Sequence, residues 1–155
     1  MFQRIQTVFL FLVLVFGLLY LLFPLATIYI GEFFYTLKAH TMQAPEAVTD
    51  QLDISLLQTL ILIVLFANML LVIITTFKYK KRLLQIKMGR LNILLLLILI
   101  VLSFFYIDAV KEQLSAEISY GVGIFFPFIS MILILLANRA IRKDEELVRS
   151  VNRIR

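Results

Sequence analysis

Hydrophobic residues occur along the chain in four long runs rather than at amphipathic spacing. The runs cover residues 7–30, 54–77, 91–107 and 119–137. A helix needs about 20 residues, each rising 1.5 Å, to cross roughly 30 Å of hydrocarbon, and only the run 91–107 is at the short limit. The pattern therefore predicts an all-α fold: a single-domain integral membrane bundle of four transmembrane helices.

The first run has an alternative interpretation, because Arg4 precedes it as a basic residue precedes a signal peptide. A signal peptide has an apolar segment of only about 7–15 residues and needs small residues before its cleavage site. Pro24, Leu25 and Ala26 fit such a site poorly. We therefore interpret the first run as a retained membrane span.

The fourth run and the residues just before it contain features that bear on helix geometry. Pro127 predicts a kink, since proline removes a backbone donor and clashes with the preceding turn. Ser115, Ser119 and Gly123 are spaced four residues apart, as in a row of small residues that lets another helix approach closely. We expect this row to serve packing within the monomer, with dimerisation as the alternative.

Composition supports a lipid environment. The chain is 62% hydrophobic and 16% charged, and its mean hydropathy is +0.99, whereas soluble domains are about half apolar and a quarter charged. The absence of cysteine excludes disulfides, thiolate metal sites and cysteine nucleophiles.

The distribution of charge predicts the orientation of the spans. Of the 15 Lys and Arg residues, all but Lys38 and Lys111 lie before the first run, in the loop 78–90 or in the tail 138–155. The two remaining loops carry seven of the ten acidic residues. The positive-inside rule then places both termini and the loop 78–90 in the cytoplasm.

No ionisable residue lies within the four runs, although such residues usually mark proton relays and ion paths. The polar residues of interest are Gln58, Asn68, Ser103 and Ser130. Interhelical hydrogen bonding is the interpretation we favour for them. The alternative is a polar path near Asn68 and Ser130, used by a small transporter or a lipid-handling protein.

The loop 31–53 contains the single histidine, His40, together with Glu46, Asp50 and Asp53. Metal sites usually show clustered donors at a recognisable spacing, which this loop lacks. We therefore predict a solvated loop, with no metal and no cofactor.

The predicted cytoplasmic face carries two basic segments that are suited to docking. Juxtamembrane basic residues gain about 1 kcal/mol each near anionic lipid, although they also serve simply to set topology. In the tail, Ile141, Val148, Val151 and Ile154 recur at helical spacing, which predicts an amphipathic cytoplasmic helix at the C-terminus. The candidate contacts for anionic lipid or a partner are Lys78, Lys80, Lys81, Arg82, Lys87, Arg90, Arg142, Lys143, Arg149 and Arg153.

Two stretches carry a resemblance to a known family: MFQRIQTVFL over residues 1–10 and ANRAIRKDEELVRS over residues 137–150. They resemble the ends of a small four-helix inner-membrane family that is typical of Bacteroidetes bacteria and is classed as a domain of unknown function. The resemblance implies a bacterial cytoplasmic membrane and supports four spans. It brings no catalytic or binding residue.

The functional hypothesis that fits these observations best is a non-enzymatic scaffold or modulatory subunit of a membrane complex. Its partners would be anionic lipid headgroups and, as a further option, other membrane or cytoplasmic subunits. No nucleophile with its base, metal-ligand cluster or phosphate-binding glycine loop indicates an enzyme. Nucleic-acid binding has no motif beyond charge, so we predict none.

Overall fold

Four long helices account for most of the chain. The structure, a computed structural model, describes residues 3–45, 54–78 and 81–152. The helices are α1 (Gln3–Leu22), α2 (Ser55–Phe77), α3 (Arg82–Leu114) and α4 (Phe126–Asn152). All four are long and apolar enough to span a membrane, as a multi-pass membrane protein requires.

The helices form a bundle. The largest contacts join α1 to α4, α2 to α3 and α3 to α4, and a smaller one joins α1 to α2. The hydrophobic core runs through the bundle and includes fully buried Tyr20, Leu65, Leu99 and Ile134. The outward surface is also apolar, with Phe11, Phe66 and Phe105 more than half exposed, as expected for helices whose outer faces meet lipid.

Helices α2 and α3 both bury residues at a regular spacing along their lengths. The buried residues of α2 are Ile61, Leu65, Asn68, Val72 and Thr75, at alternating spacings of four and three residues. Those of α3 include Gln85, Gly89, Asn92, Leu96, Leu99, Ser103, Tyr106 and Val110, which repeat the same alternation. This spacing is the heptad pattern that packs two helices at a shallow left-handed angle.

A four-stranded antiparallel sheet lies at one end of the bundle. Its strands are β1 (Ala26–Ile30), β2 (Phe33–Leu37), β3 (Met42–Gln43) and β4 (Glu117–Tyr120), in the order β3-β2-β1-β4. Because β1 follows α1 and β4 precedes a 3-10 helix (Val122–Phe125) and α4, the β1–β4 pairing ties the ends of α1 and α4 together.

The sheet corrects the prediction of an all-α fold. Residues 26–30 belong to β1 rather than to the first span, which ends as a helix at Leu22. Pro24 causes this end, since the residue before proline avoids the helical region. The segment that follows is rich in β-branched and aromatic residues, and a two-residue turn at Gly31, where φ is +61°, joins β1 to β2 as in a type II′ hairpin.

The fourth span also begins later than predicted. Ser119 lies in β4 and Gly123 in the 3-10 helix, so they do not form one helical row with Ser115, the left-handed residue that ends α3. Pro127 is the second residue of α4, where its missing N–H costs no helical hydrogen bond. Because Pro127 lies in the first turn of α4, it fits the helix there and does not imply the predicted kink.

The predicted loop 78–90 is mostly helical, since α3 begins at Arg82. The predicted tail helix is continuous with the fourth span, because α4 runs unbroken to Asn152. Several predictions lie outside the described residues or their described side chains: Arg4, Glu46, Asp50, Asp53, Lys80, Val148, Arg149, Val151, Arg153 and Ile154.

Candidate functional site

Helices α3 and α4 both continue beyond the predicted spans at the basic end of the bundle. We use the term basic end for residues 82–90 of α3 and 138–147 of α4. The α3 extension rises about 13.5 Å and the α4 extension about 15 Å, at 1.5 Å per residue. Both contain good helix formers and no proline or internal breaker other than Gly89, which explains why the helices do not stop at the end of the apolar run.

The two extensions pack against each other. A methyl group placed on Gly89 would lie 2.2 Å from Oδ1 of Asn138, so the glycine permits a close approach of the helices. Ile86 and Ile141 are buried beside this crossing. The α3 and α4 extensions therefore form one packed pair rather than a loop and a separate tail.

An ion-pair cluster joins the same two helices. Nη2 of Arg82 lies 3.2 Å from Oδ2 of Asp144, and Nη1 lies 3.7 Å from Oε2 of Glu145. Oδ2 of Asp144 has no well-aligned hydrogen bond, so the contact is an attraction between charges rather than a directed bond. Partly exposed ion pairs of this kind contribute up to about 1 kcal/mol to stability. The positive charge of Arg82 is thus already paired with acidic side chains of the same chain.

A groove runs between the α3 and α4 extensions, and we name it the basic groove. It consists of two adjoining cavities of ≈ 450 Å³ and ≈ 200 Å³. Both cavities are lined by Ile86, Arg90 and Arg142. The larger is also lined by Leu83, Lys87, Glu145 and Glu146, and the smaller by Ile93, Leu135, Asn138 and Arg139.

The cations of the basic groove differ from Arg82 in their ion pairing. Over the part of the chain that the structure describes, Lys87, Arg90, Arg139 and Arg142 form no ion pair with a carboxylate. All four are exposed. Their positive charge is therefore available to an anionic ligand, whereas the charge of Arg82 is largely offset.

The basic residues chosen from sequence are thus divided by the fold. Lys87, Arg90 and Arg142 line the groove, whereas Lys78 ends α2, Lys81 precedes α3 and Lys143 points to solvent outside the groove lining. Arg139 also lines the groove, although in the sequence it counts only toward the positive charge that predicts the orientation of the tail. Its spacing of three residues from Arg142, on one helical face, was the signal that would have included it.

Three of the four polar residues singled out in the predicted spans, Gln58, Asn68 and Ser103, form interhelical hydrogen bonds. Nε2 of Gln58 donates to the hydroxyl of Tyr106 at 2.7 Å, and Nδ2 of Asn68 donates to Oδ1 of Asn92 at 3.2 Å and to its backbone carbonyl at 3.1 Å. The hydroxyl of Ser103 lies 2.7 Å from that of Tyr20. Each of these contacts links two helices of the bundle.

Asn68 and Ser130, the residues of the proposed polar path, border a cavity of only ≈ 10 Å³. Its other walls include Tyr20, Leu99 and Pro127. A cavity needs about 10–15 Å³ to hold one water molecule. The interior near these residues is therefore packed and leaves no room for a substrate.

Of the loop 31–53, the structure describes residues 31–45. His40 is exposed, and the described residues contain no group of three or more His, Cys, Asp or Glu side chains that would hold a metal ion. Glu46, Asp50 and Asp53 lie outside the described residues.

Comparison with known proteins gives a family but no characterised relative. No curated protein and no solved structure matches the chain. The profile of a domain of unknown function, DUF4293, matches residues 2–154. Since this match covers nearly the whole sequence, the chain belongs to the DUF4293 family.

Proposed function

We propose that this protein is a non-enzymatic, multi-pass protein of the bacterial cytoplasmic membrane that acts as a scaffold or modulatory subunit of a membrane complex. Both termini and the basic end of the bundle face the cytoplasm in this proposal. The basic groove is the face that meets an acidic surface, either lipid headgroups or an acidic subunit.

The observation that carries the proposal is the difference between the interior and the basic end. The interior around Asn68 and Ser130 is tightly packed, and Gln58 and Asn68 form hydrogen bonds to a neighbouring helix, which favours a structural bundle over a transport path. At the basic end, Lys87, Arg90, Arg139 and Arg142 face a groove without acidic partners among the described residues. A folded pair of helix extensions with unpaired charge is suited to binding rather than to chemistry.

Affinity purification in mild detergent tests the scaffold role. The tagged wild-type chain is compared with Arg90→Gln/Arg142→Gln, which removes two groove cations, and with Lys81→Gln/Lys143→Gln, which removes the same charge outside the groove. We expect defined membrane or cytoplasmic subunits to co-purify with the wild type and the second variant, and to be depleted with the first. Identical co-purifying proteins in all three, or none in any, would contradict docking through the groove.

A further inference from the structure

The basic groove changes from apolar to cationic within one helical turn. On α3, Ile93 lies about one turn nearer the predicted membrane interior than Arg90. On α4, Leu135 lies about one turn nearer to it than Arg139. These separations correspond to about 4.5 Å and 6 Å along the helix axes. The smaller cavity therefore has an apolar wall on the membrane side and guanidinium groups on the aqueous side.

Guanidinium groups select the chemistry of the ligand. Arg90 and Arg142 line both cavities and Arg139 lines the smaller one. Arginine presents a planar fork that bonds phosphate through two parallel N–H groups, and it is more weakly hydrated than lysine. Three arginines around one small cavity favour a phosphate group.

The position of the groove favours a lipid over a soluble partner. Leu135 is 45% exposed and belongs to the predicted fourth span, so the lower wall of the smaller cavity faces the region occupied by acyl chains. A soluble acidic protein does not reach that depth. Glu145 and Glu146 at the aqueous end also disfavour an extended acidic peptide, whereas a compact headgroup avoids them.

From these features we propose that the basic groove binds one anionic phospholipid. Its phosphate lies among Arg90, Arg139 and Arg142, and the start of an acyl chain lies along Ile93 and Leu135. The bound lipid fills the gap between α3 and α4 at the membrane surface. This inference rests on the proposed membrane orientation, and it specifies the ligand of the same groove.

Binding to the purified protein in detergent tests the assignment. The titrants are phosphatidylglycerol, phosphatidylcholine as the zwitterionic lipid, and inorganic phosphate as the headgroup chemistry without a chain. We expect phosphatidylglycerol alone to raise the melting temperature of the wild type. Arg90→Gln/Arg142→Gln should bind it about 30-fold more weakly, since each cation contributes about 1 kcal/mol and about 1.4 kcal/mol is a factor of ten.

The control variant separates the groove from total charge. Lys81→Gln/Lys143→Gln loses the same two charges from the same end of the bundle and should bind phosphatidylglycerol within about twofold of the wild type, a difference of about 0.4 kcal/mol. Equal weakening in both variants would overturn the groove site. An equal effect of inorganic phosphate would overturn the lipid assignment in favour of a free anion.

A photoactivatable phosphatidylglycerol on the wild-type chain provides a measurement that does not depend on variant folding. We expect crosslinks in peptides that contain residues 86–93 and 135–142, and crosslinks elsewhere only would overturn the proposal. A scaffold role could fail independently, since loss of protein partners in the pull-down would leave this lipid binding unchanged.

Discussion

Single hydrogen bonds give the predicted spans their specific contacts. The hydroxyl of Ser103 donates to the carbonyl of Leu99 at 2.7 Å, so its one proton is committed. Tyr20 is then the donor in the Tyr20–Ser103 pair. Both side chains are buried, and an unpaired hydroxyl in an apolar interior carries a desolvation cost. The pair therefore couples α1 to α3.

We expect a double-mutant cycle on Tyr20→Phe and Ser103→Ala to show a coupling of about 0.6–2 kcal/mol, the range of interhelical hydrogen bonds in membranes. Unfolding in detergent measures it. Thr59→Ala serves as the control, because Thr59 is exposed and donates only to Ser55 of its own helix. Additive effects of the two substitutions would show that the hydroxyls do not interact.

A second residue-scale feature is the contact of Gly121 with the end of α1. Its N–H donates to the carbonyl of Leu25 at 2.8 Å, and the N–H of Gly123 donates to the carbonyl of Pro24 at 2.9 Å. A methyl group on Gly121 would lie 2.4 Å from the Pro24 carbonyl oxygen. Here backbone meets backbone, so no side-chain rotation relieves the clash.

We expect Gly121→Ala to destabilise the protein by about 1–3 kcal/mol, the usual cost of overpacking. Gly89→Ala is the matched comparison, because its added methyl group meets the Asn138 side chain, which is able to rotate away. Thermal unfolding in detergent should show the larger loss for Gly121→Ala. A larger loss for Gly89→Ala would mean that the Asn138 side chain is held more rigidly than the end of α1.

The sequence allowed only half of each polar pair to be recognised. Gln58, Asn68 and Ser103 stand out because they interrupt apolar runs. Their partners Tyr20 and Tyr106 are counted with the hydrophobic residues, and Asn92, the partner of Asn68, lies at the polar boundary of the third run. Which tyrosine meets which partner depends on the heights at which the helices pack. That information is not contained in local spacing.

Among the elements, the helices were predicted well and their ends were not. Hydropathy averages over about a turn or more, so the run 7–30 hides the change from helix to strand at Pro24. The strand signal in the sequence was the β-branched and aromatic content of residues 27–30. In the structure Ala26 and Ile28 are buried while Tyr29 is exposed. Polar composition likewise concealed the helical extensions at Arg82 and beyond Ala137, because charge ends a hydrophobic run without ending a helix.

We expect Asp144→Asn/Glu145→Gln to loosen the first turns of α3, because Arg82 loses both acidic partners. Hydrogen exchange over residues 82–86 should become up to about fivefold faster, corresponding to about 1 kcal/mol or less, while residues 96–107 stay unchanged. Glu146→Gln is the control, since the described ion pairs of Arg82 are with Asp144 and Glu145 and not with Glu146. Equal exchange in both variants would show that packing alone holds the helix ends together.

For the whole molecule, the asymmetry of charge predicts that the sheet and the basic end lie on opposite sides of the membrane. The sheet lies where α1 and α3 end and α4 begins. The basic groove lies where α3 begins and α4 ends. The four-span count and the separation of acidic loops from basic segments were predicted from sequence, whereas the sheet was not. The groove itself required the structure, because it depends on the crossing at Gly89 and Asn138.

Cysteine labelling in intact cells checks the orientation, since the chain contains no cysteine. Pro45 and Lys81 are both exposed, and they follow β3 and precede α3, respectively. We expect Pro45→Cys to react with an impermeant maleimide added outside, and Lys81→Cys to react only after the membrane is opened. Reaction of both from outside would contradict a membrane crossing by α2 between these two positions and a cytoplasmic basic end.

The pairing of β1 with both β2 and β4 imposes an order on biosynthesis. β2 emerges from the ribosome directly after β1, but β4 emerges only when the third helix has been completed. Until then the far side of β1 offers unpaired backbone groups to any extended segment nearby. The sheet is thus incomplete until the first 120 residues have been synthesised, because its fourth strand, β4, ends at Tyr120.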